Sequence, residues 1–184
     1  ISGLSGPVDA IADRIEADGI EIRRLRISHA AHSPLMEPVL DALEQVVGEA
    51  SLSMPRIPLI ENVRGEVAGP ELLTTAYWRH HMRQGVQFAK GMRTLADLGY
   101  RTFLEIGNHP ILSGAGARTL EDLDDTLFVP SIRRNSPEWP QLLESAGRLF
   151  AAGVAIDWDG FHAEAPGQHV DLPGTVFQKK RYWV

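Results

Sequence analysis

Residues 27–36 read Ile, Ser, His, Ala, Ala, His, Ser, Pro, Leu, Met, which sets two imidazoles, His29 and His32, three positions apart with alanines between them. An imidazole titrates near neutral pH, so one held on an exposed loop can take a proton from a hydroxyl and hand it on to a leaving group. The same residues admit a structural reading, in which both histidines cap or line the start of a following helix. From the residues alone both readings stay open.

A base needs a nucleophile. A nucleophile elbow places Gly two residues before and two residues after its serine, and no serine here satisfies both conditions: Ser5 follows Gly3 but precedes Pro7, and Ser113 follows Ile111. There is no cysteine, which removes thiolate nucleophiles, disulfide frameworks and thiolate zinc sites together. His80 and His81 are adjacent, so on a helix they diverge by about 100°. Neither has a His or carboxylate four residues on, and no metal site is expected of them. His109, in Gly107, Asn108, His109, Pro110, reads as a turn-packing residue, whereas His162 and His169 carry no spacing signal. Asp122, Asp124 and Asp125 read as a solvated loop.

The elements that must hold the histidine loop can be read on either side of it. Val8, Ile11, Ala12 and Ile15 recur at helical spacing behind Pro7 and stop at Gly19. Residues 20–27 then alternate apolar and polar side chains, the pattern of a half-buried strand that delivers the chain into the loop. Ser33 can cap a helix opened by Pro34, with Leu35, Val39, Leu43, Val46 and Val47 as its buried stripe and Pro38 bending its first turn. Further on, the patterns predict a short buried strand at 57–60 closed by a turn at 62–65, then helices at 71–82 and 86–98. A strand at 102–106, a helix at 111–120 and a strand at 127–129 complete an alternation that points to an α/β sheet.

Beyond Pro130 the character changes. A polar, turn-rich stretch leads into a helix at 139–152, with Leu142, Leu143, Leu149 and Phe150 as its buried side, and the last 25 or so residues are irregular. Trp158, Phe161, Phe177, Tyr182 and Trp183 can each bury about 150 to 250 Å², so this end is expected to lie over another surface.

With 184 residues, 43% of them apolar, the chain can build a core. Its net charge is −6 and its Lys and Arg are scattered outside 178–181, so no basic face suits nucleic acid. No apolar run approaches the roughly 20 residues of a membrane span, and no signal peptide is legible. A cytoplasmic location, without a membrane partner, is expected. Ile1, Ser2 and Gly3 read as the end of a strand, as though the chain starts inside a domain.

The tetrad His29, Ala30, Ala31, His32 resembles the substrate-selectivity motif of acyltransferase (malonyl/methylmalonyl-CoA:acyl carrier protein transacylase) domains of modular type I polyketide synthases, which reads His-Ala-Phe-His in malonyl-specific members and Tyr-Ala-Ser-His in methylmalonyl-specific ones. The likeness extends through 24–28 and 33–38 and recurs in order at 55–65, Tyr77 and Trp78 with Arg83, 86–88, 103–112, 129–134, 154–158, Leu172 and Pro173, and 177–183. Asn108 departs from the family's Gly-Pro-His-Pro turn.

The resemblance implies a function. A serine, in an elbow preceding the point where this chain begins, would attack an acyl-CoA, and His32 matches its base; Gln87 matches the residue whose backbone carbonyl orients that ring. His29, Ala30 and Ala31 would set selectivity, with the first and third motif positions on the wall near the substrate's α carbon. His29 agrees with the malonyl class, while Ala31, small where Phe would exclude a methyl, leaves methylmalonyl-CoA open. No metal or bound cofactor is implied. The implied partners are the N-terminal half of the same domain, a coenzyme A thioester, an acyl carrier protein bearing phosphopantetheine, and a ketosynthase with its linker. The implied fold is a partial hydrolase-like parallel sheet with helices. Residues 1–27 would end a ferredoxin-like small subdomain, 28–125 would be the C-terminal part of the hydrolase-like subdomain, and 126–184 a wrapping post-acyltransferase linker. The contrasting reading, from the missing serine, is a non-catalytic remnant or docking scaffold.

Overall fold

The computed structural model describes residues 1–22, 24, 29–163, 167 and 170–183. Of the predicted strand at 20–27, residues 20–22 and 24 are described and are not in a strand, and 23 and 25–27 lie outside the described residues. Helix α1, Ser5–Ala17, buries Ala12 and leaves Ile11 exposed. Arg24 reaches back to it, pairing with Asp9 and with Asp13 at 2.9 Å.

Ser33 fixes the entry to the next helix. Its hydroxyl donates to the Ala30 carbonyl at 2.7 Å and accepts the Leu35 N–H at 3.2 Å, and the residue is buried. A 3₁₀ turn, Pro34–Met36, then runs into α2, Glu37–Glu49. Pro38 sits in the first turn of α2, where its missing N–H would have had no helical partner. It opens the helix, and the predicted bend is unnecessary. The predicted apolar stripe is also rotated: Leu40 is the buried residue, while Leu35, Val39 and Val46 are exposed. The reason is the partner, α3, Thr75–Arg83. Arg79 bonds Asp41 at 2.6 Å and Glu44 at 3.0 Å, and Arg83 bonds Glu37 at 2.7 Å. Ion-pairing side chains of α2 therefore turn toward α3, with Leu40 packed beneath them.

Strands β1, Ile60–Glu61, and β2, Glu66–Val67, form an antiparallel hairpin in the register Ile60↔Val67 and Glu61↔Glu66. The strand is shorter than predicted. Ile57 is exposed, because the last hairpin bond runs from the Ala68 N–H to the Leu59 carbonyl at 2.8 Å and nothing beyond it pairs among the described residues. At the tip Gly65 has φ 68°, and a Cβ there would lie 2.7 Å from the Gly91 nitrogen. Only glycine lets this turn rest on the backbone of α4, Phe88–Asp97. Buried Glu61 closes the turn, accepting the N–H groups of Val63 at 2.7 Å and Arg64 at 2.9 Å and the Tyr77 hydroxyl at 3.1 Å. Burial first, and this carboxylate second, push the Tyr77 phenol up to about 12.

Strands β3, Thr102–Glu105, and β4, Leu127–Pro130, are parallel neighbours joined through α5, Leu112–Thr119. The core sits on this unit: Met92, Ala96 and Leu120 are buried, with Phe88, Leu95, Phe103, Leu123 and Phe128 packed against them. Phe103 and Phe128 stack at 4.8 Å. Glu105 accepts from the N–H groups of Ile111, Leu112 and Ser113 and from the Ser113 hydroxyl, at 2.6 to 3.0 Å. Residues 127–130, assigned above to the linker, thus belong to the sheet.

Helix α6, Glu138–Ala151, docks on β4 through polar groups. The Ser145 hydroxyl donates to the Pro130 carbonyl at 2.6 Å and accepts from Gln141 at 3.1 Å, all within the interior. Leu143 and Phe150, predicted to be buried, are exposed instead, since satisfying the carbonyl at the strand end decides which helix face turns inward. Trp139, Phe150, Trp158 and Phe161 cluster with ring centroids 5.6 to 5.8 Å apart, Trp158 and Phe161 lying on α7, Trp158–His162. Phe177, Tyr182 and Trp183 are 79%, 84% and 87% exposed, so they bury little area among the described residues.

Candidate active site

The half-buried His32 lies just before the Ser33 cap with φ 60°, a left-handed conformation that costs a side-chain-bearing residue free energy. Two anchors hold it there. Its backbone N–H donates to the Met82 carbonyl at 3.2 Å, and its ring Nδ1 lies 2.7 Å from the Gln84 carbonyl and 3.1 Å from the His81 carbonyl. A carbonyl can only accept, so Nδ1 carries the hydrogen and Nε2 presents its lone pair.

These acceptors are available because α3 stops at Arg83. The carbonyls of a helix's last turn have no partner within the helix, and His32 satisfies those of His81 and Met82. The same end carries the negative pole of the helix dipole, which favours a cation by about 0.3 to 1 kcal/mol. The His32 ring therefore faces carbonyls and the negative end of a helix dipole.

Behind that ring stands a second one. His81 meets His32 edge-on at 5.8 Å and 87°, stacks on Tyr77 at 6.1 Å and 24°, and contacts Trp78 at 5.9 Å. The Asn62 amide lies 3.4 Å from its Nε2. Burial, and then the charge His32 can carry, hold the His81 imidazole below its ordinary range.

Among the other predicted residues, His29 and Ala30 line a cleft of about 790 Å³ together with Leu4, Val8, Ala12 and Leu35. Ala31 is half-buried and is not among the residues lining it. The Gln87 carbonyl, expected at the His32 ring, accepts the Gly91 N–H at 2.9 Å instead. The Gln87 backbone N–H donates to the Asn62 carbonyl at 2.8 Å and its side chain to the Gly85 carbonyl at 3.4 Å, and the carbonyls beside His32 Nδ1 are those of Gln84 and His81. The physical reason is position: Gln87 begins the next helix, where N–H groups are spare, whereas Gln84 ends the previous one, where carbonyls are. Gly85, just past the α3 pattern, was the available clue. His80 is exposed on α3, and His109 is exposed and not packed into its turn. Among the described residues no three His, Asp or Glu side chains gather as metal ligands, and no helix is long and apolar enough to cross a membrane.

The family model described as the acyl transferase domain matches residues 1–156. The chain belongs to the acyl transferase domain family. Its relatives include the phenolphthiocerol synthesis polyketide synthase type I Pks15/1 of Mycobacterium bovis, 37% identical over 183 residues, and the mycoketide-CoA synthase of Mycobacterium tuberculosis, 37% identical over 184. Each match covers the whole of this chain but only 9% and 4% of those proteins. Among solved structures, the acyltransferase domain from the second module of the salinomycin polyketide synthase is 36% identical with a TM-score of 0.82, over 93% of this acyltransferase chain and 40% of that one. FabD of Acinetobacter baumannii shares the fold at 19% identity, with a TM-score of 0.67 over 80% of this chain and 45% of its own.

Proposed function

We propose that this acyltransferase chain supplies His32 as the general base that moves a malonyl-type unit from coenzyme A, through a serine outside the chain, to the phosphopantetheine thiol of an acyl carrier protein. The observation that carries the reading is the fixed tautomer: Nδ1 is held 2.7 Å from the Gln84 carbonyl, which leaves Nε2 as the basic atom. A serine hydroxyl is a weak nucleophile until an imidazole takes its proton as the new bond forms. Attack on the thioester carbonyl would put that proton on Nε2, and collapse of the adduct would return it to the departing coenzyme A thiolate. In the second half the carrier thiol gives its proton to Nε2 and attacks the acyl ester, and the serine leaves with the proton restored. No metal or bound cofactor enters either half.

His29 and Ala30 on the cleft wall support a selectivity role for the loop, and His29 sides with a malonyl extender. A change of one methylene in fit is worth about 1 to 3 kcal/mol, so methylmalonyl-CoA stays within reach of a selectivity loop with alanines at 30 and 31. Residues 1–27 serve as the end of a ferredoxin-like subdomain. The segment after Pro130 serves as a linker toward a ketosynthase and its own linker, a role supported by the exposed Phe177, Tyr182 and Trp183, and the assembly works in the cytoplasm.

The test is acyl loading from radiolabelled malonyl-CoA. The chain alone holds no elbow serine and forms no acyl-enzyme; joined with a complementing N-terminal half, it does. If the pair stays unlabelled while both halves are folded and associated, the remnant or scaffold reading replaces the enzymatic one.

A further inference from the structure

Adjacent histidines on a helix ordinarily diverge, and His80 does point to solvent. His81 does not. Its ring is wedged between His32 and Tyr77, and Tyr77 is itself fixed by the 3.1 Å bond from its hydroxyl to buried Glu61. Trp78, which closes a third side of His81, is anchored by its indole N–H to the Leu72 carbonyl at 2.9 Å. The Asn62 amide occupies the Nε2 end of His81 at 3.4 Å. Tyr77 and Trp78 are thus held by groups other than the imidazole, and His81 in turn meets the His32 ring edge-on.

From this geometry we infer that the His81 side chain is a positioning residue for acyl transfer, a rigid wall that keeps the His32 ring aligned on the Gln84 and His81 carbonyls so that Nε2 stays aimed at the hydroxyl. The inference rests on His32 being the base. It is separate from the carbonyl of residue 81, which every substitution at that position retains.

The backbone alone cannot do this work. A ring held by hydrogen bonds at Nδ1 can still swing about them and about its side-chain torsions, and a displacement of 1 Å in a reacting group can cost on the order of a hundredfold in rate. A flat, immobilised neighbour at 5.8 Å and near 90° blocks that swing on one side. Burial, and then the charge His32 can carry, make His81 harder to protonate than a free imidazole, which lessens repulsion between the two rings.

The experiment uses the complete acyltransferase domain with malonyl-CoA and a carrier protein, comparing His81→Ala and His81→Phe by steady-state kinetics and by 15N spectroscopy of the His32 ring. His81→Ala should lower kcat about tenfold with KM for malonyl-CoA unchanged, and should turn the single Nδ1–H pattern of His32 into an exchange-averaged one. His81→Phe, which keeps a flat ring between Tyr77 and His32, should return kcat to within about threefold of the parent and restore the single tautomer. A His81→Ala domain with parental kcat or an unaltered His32 pattern overturns the inference, and so does a His81→Phe domain as slow as His81→Ala. Should His81→Ala fail to fold, His81→Gln, which can still accept from Asn62 but offers no ring, takes its place under the same criteria. His32→Ala run alongside separates the two ideas: normal loading in that variant defeats the base assignment, whereas loss there beside full activity in His81→Ala defeats this inference alone.

Discussion

At the scale of single residues the reading turns on one proton. In the complete domain His32→Ala should lower the single-turnover rate of acyl-serine formation by about 10² to 10⁴, the range a positioned general base contributes. Loading at the parental rate would remove His32 from the mechanism. A second residue makes a stability prediction with a definite sign. Burial alone would raise the Glu105 carboxyl, yet bonds from the Ser113 hydroxyl and from the N–H groups of Leu112, Ser113 and Ile111 bring it from 4.5 down to about 2. A carboxylate held lower when folded than when unfolded contributes stability that is complete above about 4.5 and lost as pH falls through about 2. Glu105→Gln should therefore melt earlier at pH 7, by about 0.5 to 2 kcal/mol as for a lost helix cap, with the difference closing as pH approaches 2. An equal deficit at pH 7 and pH 2 would show that charge plays no part.

At the scale of elements the site is a junction of α3, the β1–β2 hairpin and the loop entering α2. The hairpin reaches it through Glu61, which ties Tyr77 in place. It also rests on α4 through Gly65, whose carbonyl accepts from the Thr94 hydroxyl at 2.6 Å. Gly65→Ala would force a Cβ into a left-handed position 2.7 Å from backbone, so a loss well above the roughly 1 kcal/mol of strain alone is expected in chemical denaturation. A midpoint equal to the parent's would mean that the turn and α4 do not touch. The α2–α3 ion pairs have carboxylates that range from partly to almost fully exposed, and each contributes little, on the order of 0 to 1 kcal/mol. Their effect is orientation: they select which side of α2 meets α3 and so where the His32 loop ends up.

For the molecule as a whole, two cuts should behave differently. Ending the chain at residue 169 removes mostly exposed side chains and should leave the melting temperature unchanged. Ending it at Ser131 removes α6, frees the Pro130 carbonyl that Ser145 satisfies, and uncovers the fully buried Val129. That shorter chain should bind a hydrophobic dye more strongly and melt several degrees lower. Identical dye binding for both cuts would deny α6 a packing role. The exposed Phe177, Tyr182 and Trp183 then add little to this chain's own core.

What local chemistry encodes was legible in the order of the residues. Period-3.6 and period-2 patterns, with Pro and Gly as punctuation, located α1, α2, α4, α5, β3 and β4 to within a few residues, and the His29 to His32 tetrad marked the loop that borders the cleft. Which face of a helix turns inward was decided only in three dimensions. Leu40 displaced Val39 and Val46 because α3 offers arginines, and Ser145 displaced Leu143 because a strand end offers a bare carbonyl. The orienter of His32 was illegible for a related reason. Gln84 and His81 act through backbone carbonyls, which every residue possesses, so no side-chain motif could announce them. Tertiary structure alone brings the unsatisfied end of α3 against a ring about 50 residues earlier in the chain, a distance no helical or strand periodicity spans.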